Sequence, residues 1–290
     1  MRRVLLACVL LLPTLARADE ADTHYRAGMA LKEQGKVDEA VKELEAAVAA
    51  RPAFGMAWNT LGILYKKKDE IAKAVRAFTE AAKILPREPA VHANLGMALY
   101  RAGREVEAMA ALEEAARLDP KDPDTQANLG TIKSKRGDVT SAIANLETAV
   151  KLRPADAQFH ANLGAAYSRA RRWEDAEKEY RAAVKLAPLR GDFHFSVGTI
   201  LRRKELVEDA ILEYREAVRL DDKLADAWYD LGLMYRANKQ NDLAVEAFRR
   251  YLALTRGKDA AADKKVEEDI QALGGKTDLT PSPTPKPKKK

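Results

Sequence analysis

Four histidines, His24, His92, His160 and His194, are the side chains best suited to general-base or metal chemistry, and they stand 68, 68 and 34 residues apart. Three asparagines, Asn94, Asn128 and Asn162, keep the same interval of 34, and each amide can both donate and accept hydrogen bonds. Cations recur in step with them: Lys32, Lys66 and Lys67, Arg101, Lys135, Arg169, Arg202 and Arg203, then Arg236. Residues spaced in this way occupy equivalent positions of successive structural units. Packed helices lie about 8–10 Å apart, whereas zinc holds its ligand atoms at about 2 Å. Histidines one or two units apart therefore cannot share a metal, and they are expected to fill equivalent packing slots. The chain has no Gly-rich phosphate loop, no His-Glu-x-x-His and no Gly-x-Ser-x-Gly. Glu113-Glu114 and Glu267-Glu268 read as solvated helix faces. The expectation is a protein that is not an enzyme, with no cofactor and no metal.

The unit that positions these side chains is marked by small residues. A glycine returns every 34 residues at Gly28, Gly62, Gly96, Gly130, Gly164, Gly198 and Gly232, and an alanine follows each by 12, from Ala40 and Ala74 to Ala244. Glycine inside a helix costs about 1 kcal/mol relative to alanine, so seven of them must be repaid by close approach between helix backbones. Apolar spacing around the glycines is helical, as in Trp58, Leu61, Ile63 and Tyr65, and it resumes in Ala74, Phe78 and Ala81. Each period is thus two amphipathic helices. Pro52, Pro86, Pro120, Pro154 and Pro188 end the second helix of five units.

These residues resemble the tetratricopeptide repeat, whose pattern of Trp, Leu, Gly, Tyr, Ala, aromatic, Ala and Pro is matched in full by Trp58, Leu61, Gly62, Tyr65, Ala74, Phe78, Ala81 and Pro86. The resemblance implies an all-α, right-handed superhelical solenoid of seven repeats over residues 21–258, divided as 21–54, 55–88, 89–122, 123–156, 157–190, 191–224 and 225–258. Units six and seven depart from the pattern, with Asp222 and Arg256 in place of Pro and Tyr251 in place of Ala. A capping helix is expected over 259–273, with Val266, Ile270 and Leu273 turned inward and Gly274 and Gly275 as the stop.

In that family the first helix of each unit lines a concave groove that receives a peptide. The resemblance places Asn94, Asn128 and Asn162 at the sixth position of units three to five, similar to the asparagine ladder with which O-linked N-acetylglucosamine transferases hold a target's main chain. Units one, two, six and seven carry Arg26, Thr60, Ser196 and Asp230 there. The cations fall at the twelfth and thirteenth positions, where they either favour the helix dipole or steer an acidic partner. Chaperone-binding members instead use Lys at the second and fifth positions and Asn at the ninth. This chain has neither.

The two ends differ from the body. Met1-Arg2-Arg3, an apolar run from Val4 to Leu12 and Ala16-Arg17-Ala18 form an export signal over residues 1–18, so the mature chain is expected to begin at Asp19 in the periplasm or outside the cell. Cys8 is the only cysteine and leaves with that signal. Without residues 1–18 and the segment from Lys276 onward, 42 basic residues face 43 acidic ones, so the pI of 9.2 does not describe the body and a nucleic-acid partner is not expected. No apolar run reaches the roughly 20 residues a membrane-spanning helix needs. Residues 274–290, rich in Pro and Lys, are expected to stay extended and either solvated or in contact with an anionic envelope surface.

The reading that unites these features is a noncatalytic adaptor holding a peptide or protein segment, in cell-envelope assembly. Two alternatives are a structural scaffold docking folded partners or copies of itself through its outer helices, and a regulatory subunit of an enzyme complex.

Overall fold

The structure, a computed structural model, describes residues 19–276. Residues 1–18, where an export signal is expected, and residues 277–290 lie outside the described residues. The described chain is helical with no strand. It begins with α1 (19–33). Then follow α2 (Val37–Ala50), α3 (Gly55–Lys67), α4 (Ile71–Ile84), α5 (Pro89–Arg101), α6 (Glu105–Leu118) and α7 (Pro123–Lys135). The remainder comprises α8 (Val139–Leu152), α9 (Ala157–Arg169), α10 (Trp173–Leu186), α11 (Gly191–Arg203), α12 (Val207–Leu220), α13 (Ala225–Ala237), α14 (Asn241–Thr255) and α15 (Ala260–Ala272). Two compact units divide it, the first ending at Ile132 and the second beginning at Lys133.

Each unit is a stack of helix hairpins. In the first, α3 packs on α4 and α5 on α6, while α2 against α3 and α4 against α5 join hairpin to hairpin. The second repeats the arrangement from α8 to α14, and α15 lies on α14. Inner helices also meet directly, α3 with α5 and α11 with α13. The alanines twelve residues after the glycines are fully buried, as at Ala40, Ala74, Ala108, Ala142, Ala176, Ala210 and Ala244.

The glycines do something more specific than admit a neighbouring backbone. A Cβ on Gly62 would lie 2.5 Å from the Phe78 ring, and one on Gly232 would lie 2.6 Å from Phe248. Gly198 and Gly164 stand in the same relation to Tyr214 and Tyr180, and Gly28 and Gly96 to Leu44 and Leu112. The space is taken chiefly by a large side chain sixteen residues later, so the expected backbone-on-backbone contact is corrected to a ring or leucine laid over a glycine. Backbone atoms also come close beside Gly28 and Gly96, through the carbonyls of Ala40 and Ala108.

Turns keep the period too. Within each hairpin one residue takes a positive φ: Gly35, Asp69, Gly103, Gly137, Arg171, Glu205 and Lys239, all 34 residues apart. Proline proves dispensable for ending the outer helix. α12 stops at Leu220, in register with α10 at Leu186, although Asp222 stands where Pro188 does. Only α14 runs one residue longer, to Thr255.

Helix starts are held by few side-chain caps. Asp156 accepts the N–H groups of Gln158 at 2.9 Å and Phe159 at 3.2 Å, satisfying donors that have no partner inside the helix. Asp156→Ala is expected to lower unfolding free energy by about 1 kcal/mol, read as a shift of the urea midpoint at unchanged slope.

At the C-terminal end Val266 and Ile270 are buried, while Asp263, also buried, accepts the N–H of Gly257 at 2.7 Å. Gly274 has φ 80° and ends α15. Gly275 instead packs against Val245.

Candidate functional site

In the first unit three inner helices surround an open cavity of about 450 Å³. From α3 comes Lys66, from α5 Ala93, Asn94, Met97 and Arg101, and from α7 and the residue before it Asp122, Asp124, Thr125 and Asn128. Because the helices repeat in register, a side chain at one position of α5 has its counterpart one helix spacing away on α7. Asn94 and Asn128 are such a pair, 34 residues apart. Asn94 donates one N–H to Asn59 Oδ1 at 3.2 Å. Both asparagines are half-buried against the cavity, where an amide can meet a peptide unit of any sequence.

The cations are put to two uses. Arg101 donates to Asp69 Oδ1 at 2.6 Å and to the carbonyl of Lys66 at 3.4 Å. Arg169 makes the matching bond in the second unit, to the carbonyl of Ser134 at 3.4 Å. A guanidinium at the end of one inner helix thus covers the carbonyl end of the helix before it, where the backbone dipole is negative. Arg236 is paired with Asp269 of α15 at 2.6 Å. Arg202 donates to the Tyr214 hydroxyl at 3.3 Å and lies 3.5 Å from Asp230. Lys67 and Arg203 are exposed, and Lys32 and Lys66 half-buried.

Of the side chains singled out in the sequence, Asn94, Asn128, Lys66 and Arg101 come together around one cavity. Asn162, Lys135, Arg169, Arg202, Arg203 and Arg236 belong to the second unit. Asn162 there accepts from Gln158 at 2.9 Å. The carboxylates of Asp122 and Asp124 were not foreseen, and they face the same cavity as Lys66 and Arg101. Their signal was present: Asp22, Asp124, Asp192 and Asp226 sit at one position of the 34-residue period, at the start of the inner helix. Asp122 accepts the Thr125 N–H at 2.9 Å and its hydroxyl, so it anchors the start of α7.

In the second unit, Asp230 occupies the register position of the asparagines. The Tyr214 hydroxyl donates to it at 3.1 Å. Burial pushes the Asp230 carboxyl above the ordinary carboxylate value, and the opposing pull of Arg202 and Tyr214 does not undo this. The buried Tyr214 and Tyr180 hydroxyls are pushed up to about 12, burial again being the main cause.

The histidines close turns. His92, His160 and His194 direct Nε2 to the carbonyls of Pro86, Pro154 and Pro188 at 3.0–3.1 Å. Trp58 and Trp228 donate their indole N–H to Pro52 and Asp222 carbonyls at 2.9 Å, and Gln126 donates to Pro120 at 3.2 Å. One ring or amide nitrogen six residues after the turn performs the same task in repeats two to seven. His24, His160 and His194 also place Nδ1 against Glu43, Glu179 and Glu213 at 2.6–2.7 Å. Among the described residues no three His, Cys, Asp or Glu side chains gather as metal ligands, and no helix is long and apolar enough to cross a membrane.

Comparison with known proteins gives the following. The family model of the C-terminal domain of cilia and flagella-associated protein 70 matches residues 7–196, and the tetratricopeptide-repeat model matches residues 214–262. No curated protein sequence matches the chain. Among solved structures, the C-terminal part of a repeat-containing protein from Cytophaga hutchinsonii is 17% identical, with a TM-score of 0.65 over 85% of this chain and 99% of that one. A chain of the APC/C hetero-tetramer Cut9–Hcn1 is 18% identical, with a TM-score of 0.64 over 85% of this chain; the match spans 48% of that longer chain, about half its length. YrrB, described as a repeat protein with an unusual peptide-binding site, is 18% identical, with a TM-score of 0.56 over 67% of this chain and all of that one. At these identities the likeness is one of fold.

Proposed function

Because the chain belongs to the tetratricopeptide-repeat family, we propose that it is a noncatalytic adaptor that holds an extended segment of a partner protein along the inner helices of its first unit. The observation that carries this reading is the pairing of Asn94 and Asn128 on neighbouring inner helices around one open cavity. Two amides one helix spacing apart suit a main chain that crosses both helices, because peptide units recur along any sequence. Met97 and Ala93 supply the apolar floor between them. The peptide-binding site named for YrrB is consistent with this use of the fold. For location we propose the periplasm or the extracellular space, on the strength of residues 1–18, and for process the assembly of the cell envelope.

A photo-crosslinking residue at Met97, activated in intact cells, tests the reading. It is expected to trap a protein partner, and Asn94→Ala combined with Asn128→Ala should reduce that capture about tenfold, two hydrogen bonds of about 0.5–1.5 kcal/mol each being lost. The melting temperature should stay within a few degrees of the parent. Undiminished capture by the double variant, or crosslinks formed only from outer helices, would remove the groove as the binding surface. N-terminal sequencing of protein from fractionated cells tests export: the expected first residue is Asp19, and a retained Met1 refutes it.

A scaffold that docks through its outer helices is the second reading. It is favoured by Leu212 on α12, 61% exposed, and by exposed Leu152, Leu186 and Leu243 on the outer helices of the same unit. Sedimentation of the purified chain distinguishes the two, since a self-assembling scaffold exceeds monomer mass and the adaptor does not.

A further inference from the structure

A second cleft lies in the first unit, away from Asn94 and Asn128. Helix α3 directs Lys66 to the cavity already described, and Trp58, Leu61 and Tyr65 to a separate one of about 320 Å³ bounded by the outer helices α2 and α4. Both of its rings are fixed. The Trp58 indole donates to the Pro52 carbonyl at 2.9 Å, and the Tyr65 hydroxyl donates to Glu45. Val48, Leu61 and Ala77, all buried, make the floor. At the rim Lys73 is held by Glu70 at 2.6 Å, whereas Arg76 is exposed and carries no ion pair among the described residues.

The seventh repeat shows how the chain covers such a pair of rings when it does so itself. Trp228 and Tyr235 stand at the register positions of Trp58 and Tyr65, and there Arg250 lies 6.0 Å from the Trp228 ring centre while bonded to Glu246 at 3.3 Å. In the second repeat the register position of Arg250 holds Glu80, tied to Lys83 at 2.7 Å, and that of Glu246 holds Arg76. Trp58 is thus left facing a cleft whose unanswered charge is positive. We propose that this cleft receives a partner protein through one large apolar side chain laid against Trp58 and Leu61, with a neighbouring carboxylate on Arg76. Trp, Tyr and Arg are the side chains that carry most of the energy at protein interfaces, and rings already held in place lose little freedom when they are covered. This docking site goes beyond the adaptor reading and shares no side chain with the groove of Asn94 and Asn128.

An exposed arginine is also ordinary solvated surface, and in that role it is indifferent to what lies on Trp58. The apolar and the charged contact are therefore measured together. Blocked ten-residue peptides would be titrated at low salt against the isotope-labelled full chain, with the indole N–H resonances of Trp58, Trp173 and Trp228 followed by NMR. The first peptide carries a leucine flanked by glutamates, the second a leucine flanked by lysines, and the third replaces the leucine of the first by serine. The first is expected to shift the Trp58 resonance saturably and to bind about fivefold more tightly than the second, the scale of an exposed charge pair. It should bind at least about tenfold more tightly than the third, the worth of one buried leucine. Trp228, already covered by Arg250, is the internal control and should not move. Arg76→Glu should reverse the preference between the first two peptides, with circular dichroism unchanged. An unmoved Trp58 resonance, an equal shift of Trp228, equal binding of the lysine or serine peptide, or a preference untouched by Arg76→Glu overturns the proposal. Asn94→Ala with Asn128→Ala should leave the Trp58 titration as it is, so failure here and failure of crosslinking at Met97 are separate results.

Discussion

Phe78→Ala is expected to lower unfolding free energy by about 3–5 kcal/mol, and to change the sign of what Gly62→Ala does. In the parent chain the added methyl at Gly62 would sit 2.5 Å from Phe78 Cε1, and Phe78 is fully buried, so the ring has no open space into which to withdraw. Overpacking of this kind costs about 1–3 kcal/mol, more than offsetting the helix-propensity gain of about 1 kcal/mol. Gly62→Ala alone should therefore destabilise. Once Phe78 is truncated the conflict disappears and the propensity gain remains, so the second substitution should recover about 1 kcal/mol of the loss. A double-mutant cycle in urea measures this coupling directly. Gly164→Ala provides an internal comparison, because its nearest ring atoms, on Tyr180, would be 3.0 Å away and its cost should be smaller. A Gly62→Ala effect that is the same with and without the ring would show that the glycine serves something other than Phe78.

That pairing also explains why so much of the fold was legible in the residues. Gly62 with Phe78, Gly198 with Tyr214 and Gly232 with Phe248 encode one three-dimensional contact as two residues at a fixed separation, and the contact recurs each period. The turn register is fainter. Only Gly35, Gly103 and Gly137 announce its positive φ, while Asp69, Arg171, Glu205 and Lys239 adopt it without any residue-type signal. Proline at the end of the outer helix misled slightly, since α12 ends in register beside Asp222. The shared turn-closing task of His92, Trp58 and Gln126 was hidden because these side chains have in common only an N–H aimed at a carbonyl.

The groove was legible in part for a related reason. Periodicity reveals which residues share a face, but it does not reveal which of them are already occupied by the chain itself. Arg101, Arg169 and Arg236 were indistinguishable from Lys66 in the sequence, yet each of the three holds a neighbouring helix.

Tyr214→Phe should produce a cost that grows with pH. The phenol donates to Asp230 at 3.1 Å and is itself approached by Arg202, so the substitution strips a hydrogen bond from a carboxylate that burial already disfavours. In the parent, the Asp230 carboxyl is held above its ordinary 3.8, so in the folded chain it keeps its proton to higher pH than in the unfolded chain. Stability therefore falls as pH rises through the unfolded value and then the folded one, because the native state binds more protons in that window. Removing the Tyr214 donor raises the folded value further and widens the window. The expected cost is about 1–3 kcal/mol at neutral pH and least in acid, where the carboxyl is protonated in both states. Asp230→Asn keeps an acceptor for the phenol while removing the titration, so it should be more stable than the parent at neutral pH and should flatten the decline. Urea unfolding between pH 3 and pH 8 measures all three proteins on one scale. A Tyr214→Phe cost that is constant across that range would mean that the hydroxyl serves Arg202 or Thr199, which lies 3.4 Å from it, and not the charge on Asp230.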